Sequence, residues 1–82
     1  MSKLITYSVE HTDTFGGEAN YSWVKRATFE APADASSTLL VRRAKALIGT
    51  SGVRHVKTEY NGDTIVLDYP QACWRTFIVA DY

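Results

Sequence analysis

The stretch VRHVKTEYNGDTIVLDYP, Val53 to Pro70, decides the fold. Two runs rich in β-branched and aromatic residues flank Asn61-Gly62, a dipeptide that tolerates the positive φ required at both centres of a type I′ turn. A tight antiparallel hairpin is therefore expected. With Asn61 and Gly62 as the turn, Tyr60 faces Asp63, Thr58 faces Ile65, Val56 faces Leu67, Lys57 faces Val66 and His55 faces Asp68. That register predicts Val56, Thr58, Ile65 and Leu67 on the core side. His55, Lys57, Val66 and Asp68 share the other side, with His55 and Asp68 as a cross-strand ion pair.

Working outward, CWRTFIVADY from Cys73 predicts a strand with apolar residues on both faces, since Trp74, Phe77, Ile78 and Val79 differ in parity. Upstream, Leu40, Ala44, Leu47 and Ile48 recur at the spacing of one helical face, while Arg42, Arg43 and Lys45 point elsewhere. The helix is expected to begin near Ser37, capped by Asp34 or Ser36, and to end at Gly49. Near the N-terminus, Ile5, Tyr7 and Val9 alternate with polar residues as in a half-buried strand. Tyr21, Trp23, Ala27 and Phe29 share a parity that predicts a second strand, in which Lys25 must snorkel or mark a bulge.

The expected order is ββαβββ: a single α+β domain over residues 1–82, with one helix on one face of a mostly antiparallel five-stranded sheet. The face opposite the helix would carry Arg26, His55, Lys57, Val66, Asp68 and Trp74. Such a mixed surface suits either a protein-binding patch or an ordinary outer face.

Composition narrows the function classes. The 82 residues are 45% hydrophobic and 22% charged, which fits one folded domain rather than a disordered chain. Nine basic residues balance nine acidic ones, so no global field draws the protein to nucleic acid or to an anionic membrane. Cys73 is the single cysteine, and it is expected to be a small buried hydrophobe; an intramolecular disulfide and a thiolate metal cluster are both excluded. No run approaches a membrane span, and MSKLITYSVEH lacks the apolar core of a secretion signal, so a cytoplasmic setting is expected.

The segment HTDTFGGEANYSW, His11 to Trp23, concentrates the residue types that carry function. Its His11, Asp13 and Glu18, with His55 and Asp68, are potential metal ligands, yet their spacing matches no zinc or calcium loop. No nucleophile completes a catalytic triad around a histidine, and Gly16-Gly17 lacks the further glycines and the helix of a phosphate cradle. Asp13 and Thr14 are expected to bond loop amides as local turns, with Gly16 and Gly17 supplying positive φ. No enzyme activity, cofactor or metal is expected. Trp23, Lys25, Arg26, Arg54, Lys57, Tyr60, Trp74 and Arg75 interleave aromatics with cations, as single-strand nucleic-acid platforms do, although acidic neighbours dilute the charge.

The same stretch, extended to Arg26, resembles a group of small proteins encoded by bacteriophages and prophages. These carry a similar His-Thr-Asp-Thr-Phe-Gly-Gly-Glu-Ala-Asn-Tyr segment near the N-terminus and a later Thr-Gly-Val-Arg-like turn, matched here by Thr50 to Arg54. The resemblance implies a non-enzymatic accessory protein of the host cytoplasm, of the anti-defence or anti-CRISPR kind, that binds and disables a host protein or nucleoprotein complex. In that reading Phe15, Tyr21 and Trp23 include the rigid anchors, and Arg26, Arg42, Arg43 and Arg54 supply charge, because aromatics and Arg most often dominate interface energy. A small single-stranded nucleic-acid binder using the open sheet face is the alternative.

Overall fold

The structure, a computed structural model, describes residues 3–16, 18–60 and 63–81. The elements follow the expected order: β1 (Leu4–Phe15), β2 (Glu18–Pro32), α1 (Ser37–Ile48), β3 (Val56–Tyr60), β4 (Thr64–Tyr69) and β5 (Trp74–Asp81). The strands form one antiparallel sheet in the spatial order β2-β1-β5-β4-β3. β1 and β2 are long. Twelve residues at about 3.3 Å each give β1 a span near 40 Å, most of the molecule's 44 Å length.

The helix begins where the sequence places a cap. Ser36 Oγ accepts a hydrogen bond from Leu39 N at 3.2 Å, satisfying one of the amides that a helix leaves without an intrahelical partner. It ends at Gly49, whose φ of 80° lets its amide reach back to the Lys45 carbonyl. The buried stripe is Leu40, Val41, Ala44, Lys45 and Ile48, so the expected inward Leu47 is corrected: it is exposed. Lys45, expected to point elsewhere, is also buried: it packs inward with Val41, beside the loop that precedes β3.

Odd-numbered residues of β1 and β2 and even-numbered residues of β5 face the helix. Tyr7, Val9, Ala31, Ile65, Leu67, Ile78 and Ala80 meet the helix stripe in a single core, and Tyr7 stacks on Phe29 at 5.3 Å. Phe77 and Val79 fall on the opposite face, so β5 is apolar on both sides as expected. Arg43 Nη1 donates to the Glu30 carbonyl at 2.7 Å, tying the helix to β2 at the edge of the sheet.

The β3–β4 hairpin forms with a register one residue from the expected one. Val56 pairs with Asp68, Lys57 with Leu67, Thr58 with Val66, Glu59 with Ile65 and Tyr60 with Thr64. The expected turn residues, Asn61 and Gly62, lie outside the described residues, and Asp63 N donates to Tyr60 O at 3.3 Å beside them. A one-residue slip exchanges the faces of an entire strand. Ile65 and Leu67 keep their core positions, but Val56 and Thr58 move to the open face and Lys57 to the helix face. The slip also removes the expected pairing of His55 with Asp68: Asp68 instead accepts from Arg75 Nε at 2.7 Å. Trp74 likewise faces the helix rather than the open side.

The register makes a contrast between two residues that the sequence pairs as equals. Leu67 is fully buried and Val56 is 54% exposed. Leu67→Ala is expected to cost about 2–5 kcal/mol, and Val56→Ala within about 0.5 kcal/mol. Urea denaturation of the two variants measures both, and equal losses would contradict the register.

Candidate functional site

The far end of the β1–β2 hairpin carries the segment singled out in the sequence. It is strand rather than a long loop: β1 continues to Phe15, and β2 restarts at Glu18. Gly16 takes the expected positive φ of 64°, while Gly17 lies outside the described residues. Pairing with β5 stops at Asp13, so the last residues of the hairpin project past the neighbouring strand.

A bulge precedes the tip. Thr12 pairs with Val24 and Thr14 with Ala19, so four residues of β2, Asn20 to Trp23, are accommodated opposite Asp13 alone. Asp13 holds that excess in place. One carboxylate oxygen accepts from Ser22 N at 3.0 Å; the other accepts from Ser22 Oγ at 2.6 Å and Asn20 Nδ2 at 3.0 Å. Thr12 Oγ1 accepts from Tyr21 N at 3.1 Å and donates to Trp23 O at 3.0 Å. The expected local turns at Asp13 and Thr14 are thus replaced by cross-strand bonds, and Thr14 N donates to Cys73 O at 2.8 Å.

Tyr21 sits inside this clamp with φ 56°, a left-handed conformation that costs a residue with a Cβ about 1–2 kcal/mol. Three donors on one carboxylate explain how the strain is held. They favour the ionised form, so the Asp13 pKa is lowered to about 2, first by the Ser22 hydroxyl and then by the Asn20 amide.

Below the bulge lies a buried polar chain. His11 is 2% exposed, and its Nδ1 meets Thr76 Oγ1 at 2.7 Å. Thr76 Oγ1 donates to Tyr69 Oη at 3.0 Å, and Tyr69 Oη meets Thr50 Oγ1 at 2.9 Å. Thr76 gives its one proton to Tyr69, so its oxygen is left to accept from His11 Nδ1, and Tyr69 and Thr50 share a hydroxyl–hydroxyl bond. Four residues, from β1, β5, β4 and the turn just after the helix cap, are joined in one hydrogen-bonded chain.

Three rings wall the imidazole: Trp23 at 5.2 Å, Trp74 at 5.3 Å and Tyr69 at 5.4 Å between centroids. Burial and the nearby Lys25 ammonium lower its pKa. A cleft of about 190 Å³ opens between Trp23, Trp74, Lys25 and the helix end at Ile48 to Thr50. Lys25 therefore faces the helix side with its head in solvent.

A second histidine is tied to the helix. Lys45 Nζ donates to the Val53 carbonyl and contacts His55 Nδ1 at 3.0 Å. An ammonium has no acceptor, so His55 is neutral and accepts at Nδ1. Burial, followed by the Lys45 charge, lowers its pKa.

The seven expected contact residues do not form one patch. Phe15, 81% exposed, together with Tyr21 and Trp23, gathers at the hairpin end. Arg26 lies on the open face, paired with Glu10 at 3.2 Å. Arg42 and Arg43 project from the helix, and Arg54 lies in the loop before β3. The aromatic and cationic residues of the nucleic-acid pattern divide similarly: Trp23, Lys25, Lys57 and Trp74 are on the helix face, and Arg26, Tyr60 and Arg75 on the other. His11, Asp13 and Glu18 also part company, and among the described residues no three metal-capable side chains cluster. Cys73, expected to be buried, is exposed: it sits in the turn between β4 and β5, at φ 55°.

Sequence reasoning did not single out Thr76, Tyr69 or Thr50. The signal available was parity, since Thr76 falls between Trp74 and Ile78 on the face that packs against the helix. Compared with protein-family models, curated proteins and solved structures, the chain matches none of them. Among the described residues, no helix is long and apolar enough to cross a membrane.

Two titrations test this geometry. For a histidine with a lowered folded-state pKa, the unfolded chain binds the proton first as pH falls. Stability is therefore full above the ordinary value of 6.5 and declines below it. Thermal melts between pH 7.5 and 5 are expected to show a falling Tm, with a shallower slope in His55→Gln; a flat profile would contradict the burial of both rings. For Asp13, whose pKa is lowered, the clamp is intact above the unfolded value near 3.8 and loosens as pH falls through about 2. Asp13→Asn is expected to raise amide exchange at Tyr21 and Ser22 at neutral pH, while exchange at Ile78 stays unchanged.

Proposed function

We propose that the chain is a non-enzymatic accessory protein of bacteriophage type that binds a host protein or nucleoprotein complex and inhibits it by occupying a surface. The observation that carries this reading is the hairpin end. A phenylalanine is held almost fully in solvent, beside a tyrosine kept in a costly backbone conformation by three hydrogen bonds to one carboxylate. Backbone strain that the surroundings over-determine is a mark of a contact or catalytic surface. Pre-ordering also reduces the entropy lost when aromatic anchors dock. Phe15, Tyr21 and Trp23 are the anchors in this reading. Arg26, Arg42, Arg43 and Arg54 supply charge around the body of the protein. The resemblance of His11 to Arg26 to small phage and prophage proteins adds the host setting.

The open sheet face gives the single-stranded nucleic-acid reading less support. Two of its cations, Arg26 on the edge strand β2 and Arg75 on the central strand β5, each face a carboxylate, from Glu10 and Asp68. Among the described residues of its strands, the aromatics on that face are Phe77 and Tyr60, short of a row of stacking platforms.

The test is affinity capture from a bacterial host lysate. The wild type and Phe15→Ala/Trp23→Ala are compared at equal loading, after circular dichroism has established that the variant is folded. Loss of specific bands in the variant is the expected outcome, and recovery of the same proteins by both would overturn the proposal.

A further inference from the structure

The last strand of the sheet on the β3 side is exposed at each of its five residues, whereas its neighbour β4 is largely buried. β3 is an edge, so among the described residues one row of its amides and carbonyls has no strand beside it. The helix packs toward β2 and β5 and leaves β3 uncovered, apart from the Lys57 Nζ bond to Ser37 Oγ at 2.9 Å.

The sequence of this edge, Val56-Lys57-Thr58-Glu59-Tyr60, is complementary to itself when reversed. Antiparallel pairing about a twofold axis at Thr58 sets Lys57 opposite Glu59 of a second copy, and Glu59 opposite its Lys57. Val56 falls opposite Tyr60, and Tyr60 opposite Val56. Directly opposed residues of an antiparallel pair share a face. The charged pairs therefore lie on the helix side, where Lys57 and Glu59 already stand 3.5 Å apart. The Val–Tyr pairs lie on the open side, where Val56 and Tyr60 are 54% and 51% exposed. There they continue an apolar surface: Phe77 opposes Val66, and Val66 opposes Thr58. Opposite charges and aromatic–β-branched pairs are the cross-strand combinations that stabilise a sheet.

We propose that β3 is a self-association edge, through which two copies of this chain join into one continuous ten-stranded antiparallel sheet. The occupant is a second copy because the charge order matches only in the antiparallel, symmetric register that a twofold dimer imposes. Five residues a side fall well short of the roughly 20–30 residues of a standard interface. The dimer is accordingly concentration-dependent rather than obligate.

Sedimentation equilibrium on the full chain, from about 5 to 500 μM for an interface of this size, tests the proposal. The wild type is expected to move from 9.2 kDa toward twice that mass. Lys57→Glu and Glu59→Lys each place like charges across the pair, and each is expected to weaken association tenfold or more. Mixing the two variants restores complementarity in a heterodimer and is expected to recover the wild-type mass, a result that misfolding of either variant could not produce. A wild type that stays monomeric throughout, a dimer insensitive to both substitutions, or a mixture that stays monomeric would each overturn it.

Discussion

The structure depends on the hydrogen-bonded chain from His11 through Thr76 and Tyr69 to Thr50. It joins the three central strands to the residue after the helix cap, where an apolar side chain of similar shape could fill the space but could not fix the angle. Buried donors and acceptors are costly when unpaired, at roughly 1–3 kcal/mol each, so a sequence of such bonds penalises alternative packings more than it stabilises the correct one. Trp23 and Trp74 complete the arrangement by shielding the imidazole. The bulge at Asp13 follows directly: Thr12, the neighbour of the buried histidine, is itself fully buried and takes the Tyr21 amide and the Trp23 carbonyl as partners. The hairpin end is thus rigid because it is anchored in the core one residue away.

The fold was legible wherever one face of an element is buried and the other is not. β1, α1 and β5 obey period rules because burial enforces them. Ser36 and Gly49 mark helix ends through backbone chemistry that a sequence displays directly. The register of β3 was not legible, since that strand is exposed on both faces and burial cannot select between two pairings that differ by one residue. Leu47 was misplaced because Val41 and Leu47 are both apolar and flank the Leu40–Ala44–Ile48 line on opposite sides, so the pattern alone does not choose between them.

The site was legible as a segment and not as a geometry. His11, Asp13 and Trp23 are all important, but their sequence proximity suggested shared chemistry where the strand separates them. The imidazole is sealed among rings, and the carboxylate faces the bulge. Thr76, Tyr69 and Lys45 are ordinary residues in a sequence; only topology shows that they meet the two histidines. Cys73 was misplaced for a related reason, since a left-handed turn conformation at a residue other than glycine leaves no mark in composition.

The Arg43 guanidinium on the Glu30 carbonyl has a consequence for how far assembly can go. That bond occupies an acceptor on the β2 edge, and the same strand bears the Asn20 to Trp23 bulge, which a flat partner strand could not follow. The two edges of the sheet therefore differ: β3 is short and regular, and β2 carries a bulge and a side-chain bond. A pair joined through β3 covers both β3 edges and presents only the two β2 edges outward. Any growth beyond the pair has to pass through that bulged strand, so the edge-to-edge addition that leads to fibrils meets a less regular backbone than the one that forms the pair.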